Sequence, residues 1–186
     1  GSLDTTFDID GKFSVSLDNM DSAQSVVQQT DGKLVMVGIS GLGSSASSAF
    51  GVVRLNTDGS LDTGFGTSGL VKLAVGGYQA NGVVQQASGK LVVAGTANND
   101  FTLVRLNTDG TVDTSFGTAG ISAVNLTSTD WVRALIQQTD GKLVVVGHGG
   151  GGFKIARFLA DGALDTGFGN SGSLLLYVTG VEDASL

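Results

Sequence analysis

Three Arg–Asp pairs with a constant spacing are the first residues in this sequence that could do chemistry. Each arginine lies eight residues before an aspartate, and the pairs are Arg54 and Asp62, Arg105 and Asp113, and Arg157 and Asp165. Each arginine shares a predicted strand face with a phenylalanine and an aliphatic residue, so its guanidinium needs a partner if that face is buried. The spacing predicts a repeated structural Arg–Asp bridge, within or between neighbouring units, that fixes the Leu-Asp-Thr segment beside it.

Carboxylates and amides in segment 56–62 also raise the question of a calcium site. The segment, Asn-Thr-Asp-Gly-Ser-Leu-Asp, resembles the later part of a calcium loop in integrin-like propellers. Such a loop begins with an aspartate two residues before the asparagine, and this chain has Arg54 there. Calcium takes six to eight oxygen ligands, and a neighbouring guanidinium opposes it. Turn formation by the Asn and Asp side chains is therefore the favoured interpretation, and no metal ligand is predicted.

Two unique side chains, His148 and Trp131, are the candidates for ligand contact. His148 is the only histidine, and it has no nucleophile or orienting partner in its motif, so acid–base catalysis is not predicted. The glycine run 149–152 does not match a phosphate-binding loop. Trp131 aligns with the polar Ser22 and Gln79 of other repeats, so it either packs at a strand edge or is exposed to stack on a sugar or a protein. No catalytic or cofactor-binding residue is predicted.

Composition excludes several classes of partner. The 186 residues carry a net charge of −7, and ten Lys plus Arg spread along the chain do not form the basic face that nucleic-acid binding needs. The apolar runs are far shorter than a membrane span. The absence of cysteine rules out disulfides and thiolate metal sites. We therefore expect no nucleic-acid partner, no membrane insertion and no cofactor.

These residues are placed by three sequence markers that recur in the same order along the chain. LDTTFD begins at Leu3 and returns in related form at 61, 112 and 164; QQTDGKLVMVG begins at Gln28 and returns at 85 and 137; FGVVRLNTDG begins at Phe50 and returns at 101 and 153. The markers define one repeat domain with copies at 3–60, 61–111 and 112–163 and a partial copy at 164–186. An internal repeat of this length indicates stacked structural units.

Each copy predicts four short strands. The first follows a glycine, as in 11–17 and again after Gly69, Gly120 and Gly172, and the others carry the three markers. Asp-Gly dipeptides at 31–32 and 140–141 between apolar runs are strong hairpin signals. Both strand faces are apolar, so neighbouring units must cover them. The expected fold is all-β, a β-propeller-type array of about three four-stranded antiparallel blades plus the first strand of a fourth.

The markers resemble the delta-60 repeat of bacterial proteins, whose members read DGSLDTSFG, QPDGKIVVAG and ALARYNADG. The matching positions include 61–63, 65–66, 89–91 and 105–107, with their copies. The chain departs from the repeat by carrying Thr30, Ala87 and Thr139 where a proline is usual. The resemblance implies a β-propeller, and it implies a place in large secreted or surface-anchored bacterial proteins.

These observations lead to two function hypotheses. The leading one is a non-enzymatic scaffold or adhesion module of a large bacterial secreted or cell-surface protein, with a protein or glycan partner. The alternative is a sugar-binding or hydrolytic propeller whose site lies in blades outside this sequence. Three blades do not close a ring of about four to eight, so we expect either a piece of a longer propeller or pairing with a second copy.

Overall fold

The computed structural model describes residues 1–17, 21–41 and 48–177, and these contain twelve β-strands. No helix capable of crossing a bilayer occurs in this described part of the chain. The strands are β1 (Asp21–Gln28), β2 (Leu34–Ser40), β3 (Ala49–Leu55), β4 (Leu70–Leu73), β5 (Gly77–Gln85), β6 (Leu91–Ala97), β7 (Asp100–Leu106), β8 (Ile121–Val124), β9 (Trp131–Gln137), β10 (Leu143–Gly149), β11 (Gly152–Phe158) and β12 (Ser173–Leu176).

The strands form three antiparallel sheets of four strands each, and every sheet is built from consecutive strands. The first contains β1 to β4, the second β5 to β8 and the third β9 to β12. Asp-Gly and Ser-Gly turns join the first two strands of each sheet, and their glycines at 32, 89 and 141 have positive φ angles. The all-β prediction of three four-stranded units is confirmed.

The assignment of one strand in every repeat needs correction. The segments after Gly69, Gly120 and Gly172 were predicted to open a new blade, but β4, β8 and β12 each pair with the strand before them. The stretch predicted as the first strand of a fourth blade is thus the edge strand of the third sheet. The rest of that partial copy, 178–186, lies outside the described residues. Segment 11–17, predicted as a strand, forms none in the structure.

The Leu-Asp-Thr segment explains this difference, because it reverses the chain direction at the end of the third strand. In the first sheet, Leu55 forms a bridge with Leu61, and the Arg54 amide donates to the Gly69 carbonyl at 2.9 Å. The chain is thereby returned to the unpaired edge of β3, where Leu70–Leu73 completes the ladder.

The core lies between consecutive sheets. One cluster joins the first and second sheets and includes Val35, Phe50, Val93 and Leu106. A second cluster joins the second and third sheets and includes Val92, Phe101, Val145 and Phe158. The middle sheet is covered on both faces, and all seven residues of β6 are buried. Strand β5 contacts β1, β2 and β3, and β9 contacts β5, β6 and β7, so the first strand of the second and of the third sheet packs against the preceding sheet.

Candidate functional site

The three Arg–Asp pairs predicted from the sequence lie within hydrogen-bonding distance. The arginine Nε atoms, on β3, β7 and β11, lie 2.7, 2.6 and 2.8 Å from Oδ2 of Asp62, Asp113 and Asp165. The second oxygen of each carboxylate accepts a backbone hydrogen bond at 3.2 Å from the residue two positions on. Each aspartate therefore holds the turn in which it lies to the strand that precedes that turn.

A lysine is the third member of each set, and sequence reasoning missed it. Lys33 and Lys90 place Nζ 2.7 Å from the same Oδ2 atoms of Asp62 and Asp113, and Lys142 lies 3.4 Å from Asp165. We call these three sets the Lys–Arg–Asp triads. The signal was present, because a lysine follows the hairpin glycine in every copy.

Each arginine of the triads also reaches beyond its own carboxylate. Its guanidinium carbon lies over the ring of a phenylalanine in the loop that follows its own strand, at 4.2, 4.8 and 4.5 Å from the ring centroids of Phe65, Phe116 and Phe168. Arg54 also donates to the Thr108 carbonyl at 2.7 Å, and Arg105 donates to the Ala160 carbonyl at 3.0 Å. The Arg–Asp bridge thus joins a strand to the loop that follows it in the same sheet, whereas the second guanidinium contact reaches the corresponding loop of the next sheet.

The turns after the first and second triads are hydrogen-bonded in the same way to the corresponding loop of the next sheet. The Gly66 amide donates to the Asp109 carbonyl at 2.7 Å, and the Gly117 amide donates to the Asp161 carbonyl at 2.9 Å. A methyl group at Gly110 would lie 3.0 Å from the Phe65 ring, so a glycine is needed where the ring packs. The triads and these turns together link consecutive repeats.

The triads lower the pKa of their aspartates. Hydrogen bonding from Lys33, together with the charge of Arg54, holds the pKa of Asp62 below its ordinary value despite partial burial. Lys90 and Ser115 lower the pKa of Asp113 further. Burial raises the pKa of Asp165, but the contact with Arg157 outweighs it and the net shift is downward. All three carboxylates are therefore ionised well below neutral pH.

The Asn-x-Asp-Gly segments form turns, as their Asn and Asp side chains predicted. Asp58 Oδ1 accepts hydrogen bonds from the Ser60 amide at 3.0 Å and from its hydroxyl at 2.7 Å, and Asn56 donates to the Leu61 carbonyl. Within residues 1–17, 21–41 and 48–177, no group of three or more His, Cys, Asp or Glu side chains is placed to hold a metal ion.

A buried ion pair in the third repeat was not found from the sequence. Lys154 and Asp130 have fully buried side chains and form an ion pair, and Lys154 also contacts the Thr127 hydroxyl. The Asp130 carboxylate further accepts the Leu126 amide at 2.6 Å. Burial raises the pKa of Asp130, but Lys154 and these hydrogen bonds give a net lowering. The available signal was a lysine inside an apolar strand, where the other repeats have Gly51 and Thr102.

Trp131 and His148 lie opposite each other on β9 and β10. The Trp131 ring packs against Tyr78 at the start of β5, with centroids 5.1 Å apart and planes at 48°. We call Tyr78 and Trp131 the aromatic pair. His148 Nε2 lies 2.8 Å from an Arg133 nitrogen. The aromatic pair lies at the end of the sheets where β5 and β9 begin, whereas the triads lie where these strands end.

A model of one protein family agrees with this architecture. A family model described as "Domain of unknown function (DUF5122) beta-propeller" matches residues 29–65, 86–116 and 138–168. Among solved structures, a protein of unknown function from Bacteroides caccae, with a crystal structure at 1.35 Å, is similar with a TM-score of 0.49 and 13% sequence identity. The match covers 86% of this chain and 46% of that one. None of the proteins with curated descriptions matches.

The matched segments run, in each sheet, from the end of the first strand to the Leu-Asp-Thr turn after the third strand, and they include every member of the triads. They cover just over half of the chain, and they confirm the resemblance to the delta-60 repeat. This chain belongs to the DUF5122 β-propeller family.

Proposed function

We propose that this chain is a non-enzymatic propeller scaffold that presents a recognition surface to a protein or glycan, as part of a larger bacterial protein that is secreted or held at the cell surface. The observation that carries the proposal is that the charged groups of the triads are already paired with one another. In all three triads the arginine contacts its aspartate, and Arg54 and Arg105 also donate to a carbonyl of the next repeat.

The electrostatics of the triads support a structural role for them. A general acid or base works best with a pKa near the operating pH, whereas the pKa values of Asp62 and Asp113 are shifted downward by their cationic partners. These carboxylates stay ionised at neutral pH and are weak bases. The proposed surface location is supported by the resemblance to repeats of large secreted or surface-anchored bacterial proteins.

The recognition surface is best placed at the aromatic pair. Tyr78 and Trp131 are half-buried and belong to neighbouring sheets, so part of each ring faces solvent at a position that two sheets fix. Tyr and Trp supply large contact areas with few rotatable bonds, which suits recognition of a sugar ring or a partner protein. The same pair favours the second candidate function, a sugar-binding propeller. Its hydrolytic form would place the catalytic groups in blades outside this chain.

Trp131 is the only tryptophan of the chain, so its fluorescence reports directly on the aromatic pair. We would screen the protein on a glycan array and titrate each hit while following Trp131 emission. The expected result is a shift in emission that is lost in Tyr78→Ala and retained in Tyr177→Ala, which removes the other tyrosine. Binding unchanged in Tyr78→Ala would exclude the aromatic pair, and hydrolysis of any glycan would overturn the non-enzymatic assignment.

A further inference from the structure

Phe153 is the exposed member of a set of three equivalent phenylalanines. Phe50 and Phe101 lie at the same place in the third strand of the first and second sheets, and both are fully buried. Phe153 in the third sheet is 62% exposed. Three other apolar side chains of this sheet, Ile136, Leu174 and Leu176, are also exposed. We call the surface formed by Ile136, Phe153 and Leu176 the tail face.

The two buried phenylalanines show what the third one fits. A methyl group at Gly95, on β6, would lie 2.6 Å from Phe50 Cζ, and a methyl group at Gly147, on β10, would lie 2.8 Å from Phe101 Cζ. Each ring therefore rests on a glycine in the second strand of the following sheet. By the same packing, we expect Phe153 to contact a glycine in the second strand of another sheet of this kind.

The first sheet carries such a glycine at the other end of the molecule. Gly38 on β2 is equivalent to Gly95 and Gly147, but the three atoms nearest to a methyl group there belong to Ser22 and Ala23 of its own sheet. A cavity of about 220 Å³ lies beside Gly38, and it is lined by residues of the first sheet, including Met36 and Val53, and by residues of segment 13–17. A protein cavity of about 150 Å³ accommodates benzene, so a phenylalanine ring fits this space.

The exposure of Val26 shows that no other sheet packs on this side of the first sheet within the described residues. It is 60% exposed, whereas its equivalents Val83 and Leu135 are buried against the preceding sheet. We call the surface formed by Val26, Met36 and Gly38 the head face. The faces also differ in charge, because Arg133 lines a cavity with Phe153 at the tail and Asp21 lines the cavity beside Gly38 at the head.

We infer that the tail face of one copy of this chain docks on the head face of a second copy, with Phe153 placed on Gly38. The contact would repeat the Phe–Gly packing that already occurs twice inside the chain, and within the described residues Gly38 is the equivalent glycine on which no third-strand phenylalanine packs. A head-to-tail contact is heterologous. Two copies can satisfy both faces reciprocally and would give six sheets, within the range of closed propellers. This assembly goes beyond the proposed recognition function.

The mass of the full chain in solution tests this inference, measured by light scattering across a wide concentration range. We expect the wild type to be a dimer. Phe153→Asp and Val26→Asp should each be monomeric, because each places a carboxylate on one of the two apolar faces. An equimolar mixture of the two variants should regain a dimer, since each variant retains the face that the other lacks. Ile9→Asp is the control, because Ile9 is 91% exposed and belongs to neither face.

Each other outcome has a definite meaning. A wild type that is monomeric throughout would overturn the inference and leave a further sheet of a longer chain as the occupant of the tail face. Dimers of Val26→Asp alongside monomers of Phe153→Asp would indicate tail-to-tail pairing instead. A mass that keeps rising with concentration would indicate open head-to-tail chains. That result would support the contact between the two faces and overturn the closed dimer. Circular dichroism confirms folding, and Phe153→Ser and Val26→Ser replace the aspartate variants if either fails to fold.

Discussion

At the scale of single residues, the triads show how a small β-protein carries buried charge. Asp62 accepts hydrogen bonds from two cations and one amide, so its desolvated carboxylate is well compensated. A paired, hydrogen-bonded charge is tolerated inside a protein, whereas a charge that loses its partner costs about 3–5 kcal/mol. The triads therefore contribute mainly by fixing which turn meets which strand.

The lowered pKa values predict a stability that falls in acid. The folded-state pKa of Asp113 lies below its ordinary value of 3.8, so the unfolded chain binds more protons between the two values. The contribution of Asp113 is complete above the unfolded-state pKa and is lost as pH falls through that window. We expect the urea midpoint to fall from about pH 5 downward. In Asp113→Asn this acid limb should be shallower; an unchanged limb would exclude Asp113 as its source.

The buried pair of Lys154 and Asp130 gives a second prediction at this scale. Lys154→Met leaves the Asp130 carboxylate buried without its cation, and we expect a loss of about 3–5 kcal/mol in the free energy of unfolding. Asp130→Asn should also destabilise the protein. The double variant should lose clearly less than the sum of the single losses, as urea unfolding would show. Additive losses would mean that the two side chains do not interact energetically.

At the scale of elements, the turns decide the pairing of strands. The Leu-Asp-Thr segment returns the chain to the edge of the third strand, so the last strand of each sheet comes from the next sequence repeat. This offset ties each repeat covalently and by hydrogen bonds to the one before it. A turn that loses its conformation should therefore weaken two repeats at once.

Two glycines with the same backbone conformation separate the effects of strain and packing. Gly110 and Gly141 have φ angles of +88° and +86°, so alanine at either position costs about 1–2 kcal/mol. A methyl group at Gly110 also collides with the Gly66 amide and the Phe65 ring, whereas at Gly141 the nearest atom is 3.6 Å away. We expect Gly110→Ala to lower the thermal midpoint clearly more than Gly141→Ala. Equal shifts would mean that the Phe65 contact contributes little.

At the scale of the whole molecule, stability comes from stacking between sheets. Both core clusters are formed by side chains of two consecutive sheets, so no sheet has a closed core of its own. Stability in such an array is close to a sum of unit terms and nearest-neighbour terms. The middle sheet has two such neighbours and each end sheet has one.

The equivalent phenylalanines test this view. Phe101→Ala removes a fully buried ring between the second and third sheets and should cost about 3–5 kcal/mol. Phe153→Ala should cost far less when measured at concentrations where the chain is monomeric, because its ring is 62% exposed. Urea unfolding of the two variants gives both values. A comparable loss for Phe153→Ala would place its ring in a core within one chain.

Much of the fold and part of the candidate site could be predicted from the sequence, because the relevant signals are local or periodic. The repeated markers predicted the number of units and the hairpins at Asp31 and Asp140, and the eight-residue spacing predicted the pairing of Arg54 with Asp62. The triad lysine was missed because its carboxylate lies 29 residues away in the chain. The aromatic pair was missed because its two rings come from different repeats.

The sequence by itself determined the all-β class, the repeat and the turns, since these depend on side-chain type and on contacts between near neighbours in the chain. Only the tertiary structure decided which sheet the strand after Gly172 joins, how Arg54 reaches the next repeat, and why Lys154 is buried while Phe153 is exposed. The physical reason is that burial and edge pairing depend on what lies opposite a residue. Equivalent residues in a repeat therefore meet different surroundings at the middle and at the ends of the stack.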